Sequence, residues 1–345
     1  MSKTVVVTGG AGYIGSHTVV ALVNAGYEPV LLDDFRNAQP WIINRIAEIT
    51  GETPVVHAVD CQEEAAVAAV LSVYDDILGV IHFAADKAVG ESVLDPLKYY
   101  QNNIGTLCAV LKVVEKRRIP NFVFSSSCTV YGEVDDPVVT EQHPVQQATS
   151  PYGDTKITCE KITRYTQEVS NTLNAVLLRY FNPIGAHPSA LIGELPQGVP
   201  NNLVPYITQT AKGMRDKLTV FGNDYDTPDG TNVRDYIHVM DLARAHVEAL
   251  DFLQGSATKS LEVFNLGTGK GTSVMEIIES FEKVNHLKLN YEIGDRRPGD
   301  VAQIYADASK AKDLLNWTCE YTVQDALKHA WEWEKSIDKW NTTND

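Results

Sequence analysis

The chain has 345 residues, 44% of them hydrophobic and 21% charged, and carries a formal net charge of −16. That length supports a large core and more than one subdomain. The acidic surplus argues against nucleic acid or an anionic membrane as partner, and no apolar run approaches the ~20 residues of a membrane-spanning helix.

Five cysteines, Cys61, Cys108, Cys128, Cys159 and Cys319, lie far apart and are odd in number. They form neither a disulfide framework nor a zinc pattern, which points to a reducing compartment and, by default, to the cytoplasm. The N-terminus runs into three valines and reads as a first strand rather than a signal peptide. Any phosphate ligand must be met by local dipoles and a few placed arginines, because the global field repels it.

In chain order, Val5 to Thr8 reads as a strand, followed by a glycine-rich turn and a helix near Gly12 to Ala25. Strands are expected at Glu28 to Asp33, Thr53 to Val59 and Gly79 to Ala84, each of the last two preceded by a helix. Pro96 to Arg118 reads as one long helix, with Pro at its first turn and Pro120 just past its end. Phe122 to Ser126 is a strand, Tyr152 to Ser170 a helix and Ala175 to Tyr180 a strand. Beyond Asn182 the alternation gives way to a Pro/Gly/Asn-rich stretch, Pro183 to Pro205, then mixed elements and a last helix from about Val323 to Lys339. Alternation of this kind predicts an α/β, doubly wound parallel sheet of Rossmann type. A cofactor domain over 1–182 and a smaller mixed α/β substrate domain over 183–345 follow, with some chain crossing back.

Thr8-Gly9-Gly10-Ala11-Gly12-Tyr13-Ile14-Gly15 sits where the first strand meets the first helix. Glycines at 9, 12 and 15 permit a tight turn, close approach of backbone to a pyrophosphate and close helix–strand packing, and the helix N-terminus offers free N–H groups to phosphate. Asp33 closes the second strand at roughly the twenty-residue spacing expected of an acid on the adenosine ribose. A carboxylate there repels a 2′-phosphate, which favours NAD over NADP, although Arg36 close by weakens that preference. A second loop, Gly267-Thr268-Gly269-Lys270-Gly271, lacks an early βαβ unit and reads as a structural turn whose helix is capped by Thr272 or Ser273.

Of fifteen tyrosines only Tyr152 has a lysine four residues on, Lys156. On a helix both face one way, and an adjacent cation stabilises a phenolate that could act as a base. The same spacing also suits a ring and a cation that merely share a helix face. Ser125-Ser126-Ser127 ends a strand at the carboxyl edge where doubly wound sheets bind ligands, a position equally natural for a turn.

The segments TGGAGYIG, SSSCTVYG, SPYGDTK and LRYFNPIGAHPS resemble the extended short-chain dehydrogenase/reductase superfamily. PQGVPNNLVPYI, FGNDYDTPDGTNVRDYIHVMDLA and RRPGD resemble the UDP-glucose 4-epimerases within it, over about residues 3 to 333. The resemblance implies NAD as cofactor, contacted by Gly9, Gly12, Tyr13, Ile14, Gly15, Asp33, Asp60, Cys61, Phe83, Ala84, Lys87, Asn102, Lys156 and Phe181. It implies a catalytic trio of Ser127, Tyr152 and Lys156, with Ser127 and Tyr152 also touching the sugar. Asn182, Asn202, Leu203, Thr219, Phe221, Arg234, Arg297 and Asp300 match positions holding the UDP-sugar, the two arginines as a diphosphate clamp. Asp34 and Phe35 stand where the family often has Asn and a small apolar residue.

The implied activity is interconversion of UDP-galactose and UDP-glucose through a 4-keto sugar. Related 4,6-dehydratases carry an Asp-Glu pair after the hydroxyl residue; here Cys128 and Thr129 follow Ser127, and neither serves as a carboxylic acid. Ile304 matches the position beside the sugar 2-substituent, intermediate in size between residues that admit and exclude an N-acetyl group. A homodimer joined through 96–118 and 152–170 is likewise implied. No metal is expected, because the nine histidines show no ligand spacing. Gly105 is expected where another helix comes close, and Trp331, Trp333 and Trp340 read as packing anchors.

Overall fold

The computed structural model describes residues 3–255, 259–297 and 300–341. In the first half, β1 (Thr4–Thr8), α1 (Tyr13–Asn24), β2 (Glu28–Asp33), α2 (Ile42–Thr50), β3 (Val55–Ala58), α3 (Glu64–Leu71) and β4 (Gly79–His82) are followed by α4 (Val89–Leu94) and α5 (Pro96–Tyr99). A π-helical turn, Tyr100–Ile104, leads into α6 (Gly105–Arg117), β5 (Asn121–Ser125), a 3₁₀ turn, Cys128–Tyr131, β6 (Val138–Val139), α7 (Pro151–Val169) and β7 (Asn174–Tyr180). Then come β8 (Asn182–Ile184), α8 (Leu203–Ala211), β9 (Leu218–Phe221), β10 (Val233–His238), α9 (Val239–Gly255) and β11 (Leu261–Leu266). The chain closes with β12 (Gly271–Ser273), α10 (Val274–Asn285), β13 (Tyr291–Gly294), β14 (Gln303–Ala306), α11 (Ser309–Leu315), α12 (Val323–Ser336) and α13 (Asp338–Asn341).

Seven strands form one parallel sheet in the order β11-β7-β5-β4-β1-β2-β3. Its central strands are apolar on both faces, as helices on both sides require. Val5 and Val7 join the core that includes α1 and α9, while Val6 between them joins the core beneath α3 and α6. Strand order reverses at β1, between β4 and β2, so the crevice beyond the carboxyl ends of these strands is the place for a ligand. Two late elements complete this layer: β11 pairs with β7, and α9 packs on α1.

The later strands, joined by β6 from the first half of the chain, build a second sheet, β12-β10-β14-β6 with β8 beside β10, and β13 and β9 form a two-stranded ribbon. Ile184, Ile207, Val220, Tyr236 and Phe281 form a core of their own beneath it. Within the stretch read from sequence as loop, β8 is thus a strand, paired in parallel with β10 over Tyr236 to His238.

The long helix expected over 96–118 is not uniform, because the π-helical turn separates α5 from α6. Such turns insert an extra residue into an α-helix and recur at functional sites. Gly105 starts α6, and a Cβ there would meet only the Gln62 side chain, at 3.4 Å. Close approach of another helix is therefore not its explanation within this chain. Trp333 is buried against Trp41 with ring centres 6.3 Å apart, and Trp331 lies edge-on to Phe281; the Trp340 side chain lies outside the described residues.

Candidate active site

The glycine loop follows β1 and opens α1. Gly9 has φ +68°, and a Cβ there would fall 2.8 Å from the Ala84 amide; one on Gly15 would fall 2.2 Å from the Gly9 carbonyl. Neither position accepts a side chain, which leaves bare backbone facing the cleft at the start of α1, a cradle suited to a pyrophosphate. Asp33 accepts hydrogen bonds from Ala11 N–H at 2.9 Å and Phe35 N–H at 2.9 Å. Burial raises its carboxyl above the usual range while these two donors oppose the rise. Phe35 holds φ 59°, an uncommon state for a bulky residue.

This loop forms one wall of an open cleft of about 910 Å³. Of the expected cofactor residues, Gly9, Gly12, Tyr13, Ile14, Gly15, Asp33, Asp60, Cys61, Phe83, Ala84, Lys87 and Lys156 line it. Asn102 and Phe181 do not. Asn102 sits in the π-helical turn, where its Oδ1 accepts from Arg36 at 2.5 Å and Gln62 at 3.1 Å. Phe181 is buried with Val130, Tyr131, Ile157 and Ile304.

Tyr152 and Lys156 line the same cleft. Ser150 caps α7 through Gly153 N–H, Pro151 takes its first position, and Tyr152 N–H donates to Ser92. Spaced one turn apart, the Lys156 ammonium lies 5.8 Å from the Tyr152 ring centre and donates to the Ser125 carbonyl at 2.8 Å. Burial pushes Lys156 down to about 8, and Cys159 and Glu160 act the other way. Burial also holds the Tyr152 phenol well above its ordinary value, reinforced by Tyr180 and opposed by hydrogen bonding with Ser127. Ser127 itself is buried and accepts from Thr129 N–H at 3.3 Å.

A second cleft of about 1100 Å³ lies against the β8, β9 and β10 region. Asn182, Asn202, Leu203, Thr219, Phe221, Arg234, Arg297 and Asp300 all line it. The Arg297 guanidinium stacks 3.9 Å from the Phe221 ring centre, and Arg234 lies 3.6 Å from the Asp300 carboxylate. Ile304 lines neither cleft; it pairs with Arg234 across β10 and β14 and is 5% exposed.

Several lining residues carry no isolated signal in the sequence. Tyr180 borders the first cleft, Tyr206, Asn232 and Tyr236 the second. Glu194 links the two walls: one carboxylate oxygen accepts from Lys87 at 2.6 Å and from Asn202 at 2.7 Å. Asn202 precedes α8 yet makes no side-chain cap; its Nδ2 donates to Glu194 instead. Only its place in the Gly193-Glu194 and Asn201-Asn202 segment could have suggested this pairing.

The second glycine loop is filled from within. Asp235 accepts from Thr268 N–H at 2.8 Å and Gly269 N–H at 3.0 Å, and a Cβ on Gly267 would fall 2.4 Å from its carboxylate. A carboxylate of the chain occupies the cradle a phosphate would otherwise take, and Ser273 caps α10 in a capping box with Glu276. His82 is buried against Thr8, and His238 bonds to His329 at 3.0 Å; among the described residues no three His, Cys, Asp or Glu side chains gather as metal ligands.

A family model described as GDP-mannose 4,6 dehydratase matches residues 6–330. The chain is 48% identical over 332 residues to the UDP-glucose 4-epimerase of Bacillus subtilis, covering 96% of this chain and 97% of the relative. It is 46% identical to that of Homo sapiens, covering 97% of each. The chain belongs to the UDP-glucose 4-epimerase family.

Solved structures agree. The epimerase of Stenotrophomonas maltophila, described with bound NAD and formylated UDP-arabinopyranose, superposes with a TM-score of 0.94 at 43% identity, covering 98% of this chain and 99% of that one. The Bifidobacterium longum enzyme, in complex with NAD+ and UDP, gives 0.93 at 44% identity, covering 97% and 99%. The dehydratase wording of the broader family model meets a local obstacle. After Ser127 this epimerase-family chain carries Cys128, whose thiol burial pushes up to about 12, and Thr129. Neither can supply the acid that elimination of water needs.

Proposed function

We propose that the chain interconverts UDP-galactose and UDP-glucose through a transient 4-keto sugar, using bound NAD. The observation that carries this reading is the meeting of the two clefts along one short run of backbone: Tyr180 lines the first and Asn182 the second. A dinucleotide in one and a UDP-sugar in the other then converge beside Tyr152 and Lys156.

In this reading the glycine loop with Tyr13, Ile14, Asp33, Asp60, Cys61, Phe83, Ala84 and Lys87 holds the cofactor, backed by Asn102 and Phe181. Tyr152, as phenolate, takes the proton of the sugar 4-hydroxyl. When bound, NAD supplies the hydride acceptor for C4 and the hydride that returns to its other face. Burial keeps the Tyr152 phenol neutral in the bare chain, so its ionisation depends on positive charge from Lys156 and the oxidised cofactor. Ser127 hydrogen-bonds the 4-oxygen and relays its proton. Arg234 and Arg297 hold the diphosphate, with Asn182, Asn202, Leu203, Thr219, Phe221 and Asp300 around uridine and sugar. The anchored UDP lets the keto sugar turn and offer its opposite face. Ile304, the partner of Arg234 across β10 and β14, limits the space beside the 2-substituent.

The same proposal assigns 1–182 to the cofactor and 183–345 to the UDP-sugar, and takes the protein as a cytoplasmic homodimer. Among the described residues no helix is long and apolar enough to cross a membrane. Leu97 at 77% exposure, with Tyr165 at 67% and Val169 at 81%, leaves apolar surface on α5 and α7 that a second copy could cover.

Denaturing the purified protein and identifying the released nucleotide, then assaying UDP-galactose without added cofactor, tests the reading. Released NAD and conversion without NADH accumulation are expected. Steady NADH accumulation would mark a net oxidoreductase instead.

A further inference from the structure

Below the Tyr152–Lys156 pair, α7 continues into a buried ion pair that the proposed chemistry does not use. Glu160 lies one turn beyond Lys156, so Tyr152, Lys156 and Glu160 share one stripe of the helix. Arg179, from β7, donates to both of its carboxylate oxygens, at 2.9 Å and 2.6 Å. Both side chains are 3% exposed. The Ser126 hydroxyl donates to Glu160 at 2.6 Å, and its residue is 0% exposed. Tyr131 stacks on the Arg179 guanidinium at 4.9 Å, and its hydroxyl donates to Asn265.

Stability alone does not account for such a pair. Removing two charges from water costs about as much as their attraction returns, and a well-packed apolar pair serves as well. What the pair does hold is the end of β5. Ser126 stands between Ser125, whose carbonyl receives the Lys156 ammonium, and Ser127, whose hydroxyl works against the rise in the Tyr152 pKa.

We propose that Glu160 is a positioning residue for the epimerase reaction: tied to Arg179, its carboxylate locks the Ser125–Ser127 strand end and the Lys156 ammonium into one register. The inference rests on the proposed function. Glu160 acts mechanically through Ser126 and electrostatically through its charge one turn from Lys156. The other titratable groups that act on or meet the ammonium are Tyr152 and Cys159 on α7 and His82 on β4, none of them an anion at neutral pH, and the Arg179 cation on β7 sits on the Glu160 carboxylate. Glu160 is also approached at 3.9 Å by Arg164, which is 39% exposed.

The test compares wild type, Ser126→Ala and the neutral double variant Glu160→Gln/Arg179→Gln, each as the NAD-loaded protein with UDP-galactose as substrate. The double variant removes the ion pair without stranding one charge. It is expected to keep its NAD and its KM for UDP-galactose, to lose about tenfold or more in kcat, and to show its alkaline limb of kcat moved down by about half a pH unit, because Lys156 loses the Glu160 charge that raises it, a shift that loss of the Arg179 cation reduces without cancelling. A merely structural role lowers the melting temperature without moving that limb. Ser126→Ala leaves the charge and frees the strand end, so kcat falls about threefold or more with the limb in place. Wild-type kcat and an unmoved limb in the double variant overturn the proposal. If that variant does not fold, wild-type kcat in Ser126→Ala overturns it and the expected fall upholds it. A wild-type protein that fails to convert UDP-galactose would instead strike at the proposed function.

Discussion

The ammonium of Lys156 lies 5.8 Å from the centre of the Tyr152 ring and is held there by the Ser125 carbonyl at 2.8 Å. Sequence spacing joins the two residues through α7, but β5 fixes where the charge sits. The phenol is buried and neutral in the bare chain, and the cation beside it is itself pushed down to about 8 by burial. Lys156 is thus held near the point at which its proton can move, whereas the Tyr152 phenol needs added positive charge before it gives up its own.

Tyr152→Phe removes the proton acceptor and keeps the ring. Turnover of UDP-galactose should fall by about 10²- to 10⁴-fold, while UDP affinity, measured by titration calorimetry, stays close to wild type because the second cleft is untouched.

Lys156→Met should abolish turnover and yet stabilise the fold at neutral pH. Burial holds the Lys156 ammonium at about 8, against a free lysine near ~10.4, so its charge costs about 3 kcal/mol at most at pH 7. The folded chain sheds this proton before the unfolded chain does, so wild-type stability gains from rising pH between about 8 and 10. Urea unfolding at pH 7 and pH 9 should show the variant ahead at pH 7, with the gap narrowed at pH 9.

Gly15→Ala places a methyl group 2.2 Å from the Gly9 carbonyl. The loop must shift to admit it, and the purified variant should carry little NAD, read as released nucleotide per chain. Full occupancy would show that the loop does not need to sit as it does.

Much of this site was legible in the sequence where the signal is local. The glycine loop and Asp33 lie where strands pass into the chain beyond them, and Tyr152 and Lys156 lie on one helix, so short-range spacing shows all of them. Pairings across long separations were not legible. Ser126 and Glu160 are 34 residues apart, and Lys87 and Glu194 are 107 apart. The π-helical turn at Tyr100–Ile104 escaped for another reason: its residues satisfy a helical pattern equally well, and only the backbone reveals the inserted residue. β6 and β8 are two and three residues long, too short for alternation to mark them. The homology-derived residues Asn102, Phe181 and Ile304 lie behind the cleft walls, a depth that matching motifs does not convey.

Ile304→Ala opens space next to Arg234. Loss of a buried isoleucine should cost about 2–5 kcal/mol, seen as a lower melting temperature. The rate with UDP-N-acetylgalactosamine relative to UDP-galactose should rise nonetheless. An unchanged ratio would remove Ile304 from substrate selection.

In the proposed reaction hydrogen leaves C4 as hydride and comes back to the same carbon without exchanging with solvent. UDP-galactose bearing deuterium on C4, converted in ordinary water, tests it most directly by mass spectrometry or NMR of the product. UDP-glucose with the label still on C4 is expected; replacement of the deuterium by solvent hydrogen would show that hydrogen does not travel as hydride to the dinucleotide and back.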